Sequence, residues 1–402
     1  MACFHRDQQA RYRPPLSQAS APAMSVGYVA MVAGEPSGDL LASHVLAALR
    51  KMQPGLTCAG IGGERMREQD FTSWWPTQRL AVNGYAQVLP RLPELLWMRR
   101  QLRLRLLRQR PAVFVGVDAP DFNLGLERRL REARIPTVHL VSPSIWAWRR
   151  ERLHGIAQAV DHMLCVFPFE PELYAQTRVR AIYIGHPLAE VIPDQPDRLG
   201  ARHLLGLAQD ALVIGVLPGS RIGEIQQIAP SFLGAAQRLQ QRHGARLVLP
   251  VAHPSLLPLL QRQLQVLPGL EIQLTQGQSH AVMAACDLAL VASGTATLEC
   301  ALFKRPMVIG YRVPELSRRL MAGKGYLPWV GLPNILAGAF WVPELLQDAC
   351  TPDALAEAAE SLLRDDVRQA QLRDRFIELH AQLRRPTASL AAQAILEAAH
   401  AG

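Results

Sequence analysis

Residues 288–302 read Leu-Ala-Leu-Val-Ala-Ser-Gly-Thr-Ala-Thr-Leu-Glu-Cys-Ala-Leu, and they indicate the fold class of the chain. The apolar run that opens this stretch is typical of a buried parallel strand, and a segment compatible with a helix follows at once. Gly294 allows the tight turn between the two. Ser293 and Thr295 are good N-cap residues, so we expect the free N–H groups of the helix, a ready phosphate site, to open at this turn.

Glu299 lies four residues after Thr295, about one turn further along the same helix face. Its carboxylate is placed to accept hydrogen bonds from a ribose diol while the turn holds phosphate. An ordinary strand–helix junction with a capping residue has the same local sequence, so the remainder of the chain must decide between the two interpretations.

The length and composition of the chain favour two α/β domains. Its 402 residues exceed what one hydrophobic core usually serves, and strand-like runs alternate with helical ones along nearly the whole length. No apolar stretch reaches the ~18 residues that a membrane-spanning helix needs, so we do not expect an integral membrane protein. The six cysteines are scattered without metal-like spacing, which is typical of reduced core residues in a cytoplasmic protein.

The net charge of +9 comes mainly from arginine and leaves three classes of partner open. These are nucleic acid, an anionic membrane surface and phosphorylated substrates. Composition alone does not choose among them.

The sequence suggests four segments. Residues 1–24 carry arginines and prolines but no apolar run of the signal-peptide kind, so we expect a disordered leader, or a start-site artefact, rather than a secretory signal. Residues 25–192 form the predicted N-terminal domain, and the Pro- and Asp-rich stretch at 192–197 is a predicted hinge. Residues 193–365 form the predicted C-terminal domain, and helices at 366–402 are expected to pack back across both domains.

The first predicted strand runs into the turn Gly34-Glu35-Pro36-Ser37-Gly38-Asp39 and then into a helix. This turn is not G-x-G-x-x-G and it lacks the Walker lysine, so a nucleotide fingerprint is poorly supported here. Glu35, Ser37 and Asp39 are instead suited to hold sugar hydroxyls. Alternatively, Ser37 or Asp39 only satisfies backbone donors at the start of the helix.

Residues 90–110 combine arginine and leucine in an unusual way. They hold seven arginines and seven leucines, together with a tryptophan and a methionine, against a single acid, Glu94. This composition is typical of an interfacial helix, whose apolar side chains enter the acyl boundary while its arginines meet lipid phosphates. The alternative is a two-faced helix that packs on the sheet with its arginines in water. The residues predicted to contact the membrane or acyl chains are Leu95, Leu96, Trp97, Arg99, Arg100 and Arg103.

A predicted strand at 112–117 ends in Asp118-Ala119-Pro120-Asp121-Phe122-Asn123. Ligands of open α/β sheets bind beyond the carboxyl ends of the strands, so Asp118 stands where a general base is expected. Asp121 is more readily interpreted as the cap of the following helix.

Trp146 and His186 follow other strand ends of the first domain. Trp146 belongs to the loop at 142–149, where two tryptophans either form an apolar platform for a substrate or close the core. His186 follows the strand predicted at 181–184. It ranks second to Asp118 as a candidate base, because a satisfied structural histidine has the same sequence context.

The second half of the chain repeats the strand–turn–helix pattern. A predicted strand at 212–217 is followed by Pro218-Gly219-Ser220-Arg221, so the planar guanidinium of Arg221 is aimed at an anion site and can grip a diphosphate. Asn334 lies between apolar anchors in a later loop. Two anion-binding turns in one domain, facing an acid in the other, suit glycosyl transfer from a nucleotide sugar. We find no Asp-x-Asp pair suited to a divalent ion, and we predict neither a metal nor a cofactor.

Six motifs, taken together and in order, resemble those of the lipid-A-disaccharide synthase family. The resemblance runs in register from about Val26 to the C-terminus. Each motif alone is modest, but their order makes the resemblance specific. The motifs are Gly34-Glu35-Pro36-Ser37-Gly38-Asp39, Val117-Asp118-Ala119-Pro120-Asp121-Phe122-Asn123, Val141-Ser142-Pro143-Ser144-Ile145-Trp146-Ala147-Trp148-Arg149, Leu217-Pro218-Gly219-Ser220-Arg221, Ala292-Ser293-Gly294-Thr295-Ala296-Thr297-Leu298-Glu299 and Leu332-Pro333-Asn334.

The resemblance implies a GT-B fold, in which two doubly wound, Rossmann-like domains face each other across a cleft. It implies an inverting, metal-free transfer from UDP-2,3-diacylglucosamine to the 6-hydroxyl of 2,3-diacylglucosamine 1-phosphate (lipid X), which gives a β-1′,6-linked disaccharide and UDP. It also implies a cytoplasmic, peripheral protein on the anionic inner face of the inner membrane of a Gram-negative cell. It allows a homodimer, and it gives no reason to expect nucleic acid as a partner.

The resemblance also implies roles for individual residues. Asp118 is the expected base for the acceptor hydroxyl, and Arg221 is an expected ligand of the donor phosphates. The donor site is expected to include Gly219, Ser220, Arg221, Ser293, Gly294, Thr295, Glu299 and Asn334. The acceptor side of the cleft is expected to include Glu35, Ser37, Gly38, Asp39, Trp146 and His186.

Two residues depart from the family pattern: Pro36 stands where threonine is usual, and Asn83 stands where methionine is usual. Neither change touches Asp118 or Arg221. The nearest rival is another GT-B protein that uses UDP-N-acetylglucosamine, either a peptidoglycan-type transferase or a 2-epimerase. A basic nucleic-acid-binding module is the rival from another class, and the leucines interleaved with the arginines argue against it.

Overall fold

The computed structural model describes residues 27–77, 80, 85–147, 149–315 and 327–401, without the side chains of 85–91. The predicted leader at 1–24, Asn83 and Trp148 lie outside the described residues. The described chain forms two parallel sheets with helices packed against them.

The N-terminal sheet has seven strands in the order β3-β2-β1-β4-β5-β6-β7, and every neighbouring pair is parallel. Its strands are β1 (Val29–Ala33), β2 (Cys58–Gly62), β3 (Thr72–Pro76), β4 (Val113–Val117), β5 (Thr137–Leu140), β6 (His162–Cys165) and β7 (Arg180–Tyr183). The helices of this half are α1 (Pro36–Met52), α2 (Glu64–Arg67), α3 (Tyr85–Gln109), α4 (Pro120–Glu132), α5 (Arg152–Ala159), α6 (Glu170–Leu173) and α7 (Pro187–Val191).

The C-terminal sheet has six strands in the order β10-β9-β8-β11-β12-β13, again all parallel. Its strands are β8 (Val213–Leu217), β9 (Arg246–Val251), β10 (Ile272–Gln276), β11 (Leu288–Ala292), β12 (Met307–Tyr311) and β13 (Glu344–Leu346). The helices of this half are α8 (Arg198–Leu204), α9 (Ile222–His243), α10 (Leu257–Gln265), α11 (Ser279–Ala285), α12 (Thr295–Leu302), α13 (Leu332–Ala337), α14 (Pro352–Arg364), α15 (Asp366–Leu383) and α16 (Thr387–Ala401), and short 3₁₀ helices lie at Pro254–Leu256 and Gln347–Ala349.

The strand order reverses once in each sheet, between β1 and β4 and between β8 and β11. All residues of these four strands are buried, which explains their nearly continuous apolar sequences. The crevice at such a reversal, beyond the carboxyl ends of the strands, is where open α/β sheets bind ligands. The two sheets confirm the predicted fold class of two doubly wound α/β domains.

Strand β1 shows how the N-terminal sheet is covered on both faces. Val29, Met31 and Ala33 pack in a cluster with α1 and with the alanine-rich face of α16. Ala30 and Val32 point the other way, into a cluster with Met98 and other residues of α3 and α4. Because side chains alternate along a strand, the one sequence satisfies both layers.

The C-terminal helices connect the two halves. The backbone N–H of His186 donates to the carbonyl of Leu383 at the end of α15, at 2.9 Å. The N–H of Thr387 donates to Glu190 at 3.0 Å. Lys304 reaches back to the carbonyl of Pro193 at 3.3 Å. The chain therefore passes between the halves near residue 193 and again near residue 385.

Strands β2, β3 and β13 were not predicted from the sequence. β2 reads Cys-Ala-Gly-Ile-Gly, and its glycines resemble a turn. Gly60 has φ 151°, and a Cβ there would overlap the carbonyl of Met31 on β1. Close packing of two strand backbones therefore places glycine inside a strand, against the usual propensity.

The described cysteines lie in the core of the protein. The five described cysteines are buried and unpaired, and burial raises the pKa of the Cys58 thiol to about 11. Within the described ranges, no helix is both long and apolar enough to cross a membrane.

Candidate active site between the two sheets

The turn after β8 presents Arg221 at the start of α9. Gly219 has φ 119°, in the region that favours glycine, and a side chain there would collide with Glu224. The carboxylate of Glu224 accepts from the N–H of Ser220 at 2.9 Å and from the N–H of Arg221 at 3.2 Å. It also pairs with the Arg221 guanidinium at 3.0 Å. The turn is held rigid while the arginine side chain stays exposed.

The turn after β11 does not use the caps that the sequence predicts. Gly294, with φ 138°, is the N-cap residue of α12, and no side chain of the described residues caps this helix. The hydroxyl of Ser293 donates instead to the carbonyl of Val330 at 2.8 Å. Thr295 is the first helical residue and is exposed. Without a side-chain cap, the first N–H groups of α12 remain open to an anion.

A cavity of about 520 Å³ lies between these two turns and is lined by both of them. Gly219, Ser220 and Arg221 form one side, and Ser293, Gly294 and Thr295 form the other. Glu299 lines the same cavity, with its carboxylate 3.3 Å from Nε2 of His280. The cavity thus combines a cation, an open helix N-terminus and a carboxylate, the groups that a nucleoside diphosphate requires.

Asp118 closes β4 on the N-terminal side. It and Ala119 have φ values of 50° and 45°, a strained left-handed pair that starts α4. The backbone is held on both sides, because the Asp118 N–H donates to Leu140 at 2.9 Å and its carbonyl accepts from Asn123 at 2.8 Å. Its side chain is half-buried, and no described residue donates a hydrogen bond to the carboxylate.

Glu35 interacts electrostatically with both walls of the cleft. Partial burial raises the pKa of the Glu35 carboxyl, the negative charge of Asp118 raises it further, and the positive charge of Arg221 opposes both. Glu35 therefore lies near Asp118 on its own domain and near Arg221 on the other. Asp118 itself lines neither of the two cavities of the cleft.

A second cavity, of about 550 Å³, lies between the domains. Trp146, Phe167 and His186 line it from the N-terminal half, and Tyr311 and the Ser293–Thr295 turn line it from the C-terminal half. It shares that turn with the first cavity. A donor whose diphosphate lies at Thr295 would therefore extend its sugar toward the N-terminal domain.

Two predicted site residues are occupied by hydrogen bonds inside the protein. Asp39 is buried in α1, and its carboxylate accepts from the N–H groups of Gly63 at 2.6 Å, Arg65 at 3.2 Å and Met66 at 3.4 Å, so it caps α2. Asn334 is fully buried and bonds Trp341, Val342 and Glu344. These contacts give both residues structural roles, and their contact with a ligand stays a prediction.

Trp146 and His186 line the interdomain cavity, and both also make hydrogen bonds within the protein. The indole N–H of Trp146 donates to Glu170 at 3.1 Å, and its ring packs edge-on against Phe167. Nδ1 of His186 accepts from the N–H of Leu188 at 3.2 Å, which caps α7. Burial lowers the pKa of the His186 imidazole to about 4. His186 is thus a neutral capping residue that lines the cavity with its ring.

The remaining residues of the N-terminal turn differ in exposure. Glu35 and Ser37 are exposed beside the cleft, whereas Gly38 is buried in α1. A Cβ at Gly38 would lie 3.6 Å from Val117, in ordinary contact. Gly38 therefore packs against β4 at a distance that a small side chain would also allow.

The arginine- and leucine-rich segment forms α3 and has two apolar faces. Met98, Leu102 and Leu106 are buried at helical spacing against the sheet. Leu96 and Trp97 remain 47% and 53% exposed, and Leu95 packs at the edge of the core. One face of α3 therefore packs on the sheet and another face is apolar and exposed, and contact of that exposed face with a membrane stays a prediction. Arg100 is exposed on this outer side, and Arg99 and Arg103 are partly buried.

Several site residues escaped sequence analysis. Glu224 holds the Arg221 turn, and its position three residues after Arg221 is a helix-start signal that was available. His280 and Tyr311 reach the cleft from α11 and β12, and only the tertiary fold places them there. Among the described residues, no group of three or more His, Cys, Asp or Glu could hold a metal ion.

Comparison with known structures supports the fold. A UDP-GlcNAc 2-epimerase from Neisseria meningitidis, solved with UDP-GlcNAc, matches with a TM-score of 0.62 at 12% identity, covering 93% of this chain and all of the other. Acinetobacter baumannii MurG matches with a TM-score of 0.56 at 14% identity, covering 92% of this chain and 99% of the other. Similarity at this level of identity shows the GT-B architecture alone.

Comparison of sequences is more specific. The family model described as Lipid-A-disaccharide synthetase matches residues 29–397. Lipid-A-disaccharide synthases of Burkholderia mallei, Burkholderia pseudomallei and Paraburkholderia phytofirmans are 53% identical over 369 residues, which are 91% of this chain and 95% of each relative. The chain therefore belongs to the lipid-A-disaccharide synthase family, glycosyltransferases that carry out a condensation step of lipid A biosynthesis.

Proposed function

We propose that this protein transfers the 2,3-diacylglucosaminyl group from UDP-2,3-diacylglucosamine to the 6-hydroxyl of lipid X. The observation that carries the proposal is the placement of the two charges around Glu35. The Asp118 carboxylate, which has no hydrogen-bond partner among the described residues, lies on one wall of the cleft, and Arg221, an exposed cation, lies on the other. Acid and cation on opposite walls suit a reaction in which one wall removes a proton and the other accepts a leaving anion.

The leaving group is stabilised on the C-terminal wall. The diphosphate of UDP lies between the N-terminus of α12 and the guanidinium of Arg221, which Glu224 orients. As the bond from the anomeric carbon to the phosphate oxygen breaks, its electron pair passes to the diphosphate. Fixed N–H groups and an arginine stabilise that charge without reorganising, so no metal is required in this mechanism.

The nucleophile is activated on the N-terminal wall. The Asp118 carboxylate takes the proton of the acceptor 6-hydroxyl while that oxygen forms its bond to the anomeric carbon. Attack from the face opposite the leaving diphosphate inverts the anomeric centre and gives the β-1′,6 linkage. The products are the disaccharide 1-phosphate, UDP and protonated Asp118, which returns its proton to solvent.

Both proposed substrates carry acyl chains, so the reaction requires the protein to act at a membrane surface. We propose that it lies in the cytoplasm, peripherally on the inner face of the inner membrane, through the outer side of α3. There Leu96 and Trp97 are exposed beside Arg100, a combination of apolar and cationic side chains that suits anionic lipid.

Product analysis tests the proposed reaction. Purified protein, UDP-2,3-diacylglucosamine and lipid X in mixed micelles should yield one equivalent each of UDP and of a disaccharide monophosphate, measured by mass spectrometry. The anomeric proton coupling of the new linkage should be that of a β-glycoside. Release of a free sugar without acceptor, as a 2-epimerase-like reaction would give, contradicts the proposal.

A vesicle assay tests the membrane contact. Leu96→Ser combined with Trp97→Ser should lower flotation with vesicles containing anionic lipid, because both side chains are exposed. Leu199→Ser combined with Val266→Ser is the matched control, since these residues are 62% and 76% exposed in the C-terminal half. Equal losses in both pairs would show that the protein has no specific membrane face on α3.

A further inference from the structure

A separate basic cavity lies between α3 and α4, outside the cleft. It encloses about 290 Å³ and is lined by Leu96, Gly125 and four arginines, which are Arg99, Arg100, Arg103 and Arg129. None of the described residues that line it is acidic. Four cations around one small cavity repel each other unless an anion neutralises them.

The protein itself neutralises only part of this charge. Arg129 pairs with Glu132 at 2.9 Å, and the Arg99 guanidinium lies 3.5 Å from the carbonyl of Asp121. Nε of Arg103 is buried and has no hydrogen-bond partner among the described residues. Buried donors are nearly always paired, so a missing acceptor at this position points to a ligand.

Gly125 indicates that the arginines are positioned by the fold. A Cβ at this residue would lie 3.0 Å from the guanidinium of Arg99. The absence of a side chain on α4 lets that guanidinium lie flat against the helix. The cavity is thus built by both helices rather than by mobile surface arginines alone.

The position of the cavity relates it to the reaction. α4 begins two residues after Asp118, and Gly125 lies five residues into it, about 7.5 Å along the helix axis. The cavity therefore lies on the same strand–helix unit as Asp118, about one to two helical turns further along α4. Leu96, which lines the cavity, also belongs to the exposed apolar side of α3.

We propose that this cavity binds the phosphate monoester of the lipid acceptor while the hydroxyl at the other end of the same sugar reaches Asp118. This inference rests on the proposed function, in which the acceptor is a sugar 1-phosphate that carries acyl chains. A phosphate monoester is close to a dianion at neutral pH and presents three acceptor oxygens. The planar guanidinium forks of the arginines match that geometry.

Steady-state kinetics with two acceptors tests the proposal. Arg103→Gln and Arg129→Gln should each raise the KM for lipid X by about tenfold, while the KM for the UDP-sugar stays unchanged. With 2,3-diacylglucosamine, which lacks the phosphate, wild type and variants should have the same KM. Arg128→Gln is the control, because Arg128 also pairs with Glu132 but does not line the cavity. Equal effects on both acceptors, or an equal effect of Arg128→Gln, would overturn the proposal.

A binding measurement separates this inference from the proposed function. Calorimetric titration with glucosamine 1-phosphate should give binding to wild type and to Arg128→Gln, and at least tenfold weaker binding to the Arg103→Gln/Arg129→Gln double variant. If no disaccharide forms but this difference persists, the proposed function fails and the phosphate site stands. If disaccharide forms with unchanged acceptor KM in both variants, the site fails and the function stands. Equal affinity for inorganic phosphate, with unchanged acceptor KM, would assign the cavity to free phosphate instead.

Discussion

Two turns of this molecule have similar sequences but differ in which polar groups remain accessible to a ligand. Gly34–Asp39 follows β1 and Ser293–Glu299 follows β11, and each has a glycine, a hydroxyl and an acid at the start of a helix. In the first turn the acid, Asp39, is buried and caps α2. In the second turn the acid, Glu299, lines a cavity at the start of its own helix, α12, which no described side chain caps.

The difference shows when a polar residue near a strand end can serve a ligand. A side chain whose hydrogen bonds are completed within the protein stabilises the fold, because breaking those bonds leaves buried donors unpaired. A side chain without such partners is available to a substrate. By this criterion the Asp118 carboxylate and the Thr295 hydroxyl are available, and Arg221 and Glu299 are available in part, since each has one partner and keeps other polar atoms unpaired among the described residues. Asp39, Asn334 and the Nδ1 atom of His186 are not available.

The largest expected effect is on turnover, at Asp118. Asp118→Asn should lower kcat by about 10²- to 10⁴-fold, because the amide cannot take the proton of the acceptor hydroxyl. Asparagine tolerates the left-handed backbone found here at φ 50°, so the fold should persist. UDP binding measured by calorimetry should match wild type. Turnover within a few-fold of wild type would remove Asp118 from the role of base.

We expect His186 to make the stability of the protein depend on pH. We do not expect it to transfer a proton during turnover. The unfolded imidazole binds a proton near pH 6.5, whereas burial lowers the folded pKa to about 4. The stability contribution is therefore complete above pH 6.5 and is lost as pH falls toward 4, by about 3 kcal/mol in all.

Comparing wild type with His186→Asn isolates the pH-dependent stability contribution of His186, because asparagine can also cap α7. The difference in unfolding free energy between wild type and variant, from urea titrations, should shrink as pH falls from 6.5 to 4. Glu170, whose pKa burial raises to about 7, changes stability in the opposite sense in both proteins and cancels in the difference. A difference that is constant over this range would show that His186 is not kept neutral by burial.

Replacing the acid of each turn separately tests the comparison directly. Asp39→Ala should lower the unfolding free energy by about 1–3 kcal/mol, because three N–H groups at the start of α2 lose their acceptor, and kcat should change little. Glu299→Gln should leave the unfolding midpoint in place and raise the KM for the UDP-sugar. The reverse pattern would mean that Asp39 is the ligand and Glu299 the structural acid.

The sequence predicts the central strands of both sheets and the positions of the turns that follow them, because both depend on local patterns. Strands β1, β4, β8 and β11 are buried on both faces, so their apolar runs are unmistakable, and each ends in a polar turn. The roles of Asp39 and Asn334 depend on backbone groups at Gly63 and Val342, which only the folded chain brings near. A local pattern shows that a polar group lies at a strand end, but not which partner has already used it.

The proposed phosphate site at α12 can be tested by removing one backbone donor. Thr295 is the first residue of the helix, a position that accepts proline because the N–H there has no helical partner. Thr295→Pro should therefore fold normally, yet weaken UDP binding by roughly tenfold, the loss of one hydrogen bond to a charged group. Thr295→Ala keeps the N–H and loses only the hydroxyl, which has no hydrogen-bond partner among the described residues.

Calorimetry with UDP on both variants separates the backbone from the side chain. Weaker binding in Thr295→Pro alone assigns the contact to the N–H of the open helix. Equal weakening in both variants would assign it to the hydroxyl, and the uncapped start of α12 would then have no part in binding the diphosphate. Normal UDP binding in both variants would show that the diphosphate binds elsewhere. The contrast between the two turns would then not hold, because Ser293–Glu299 would be no more available to a ligand than Gly34–Asp39.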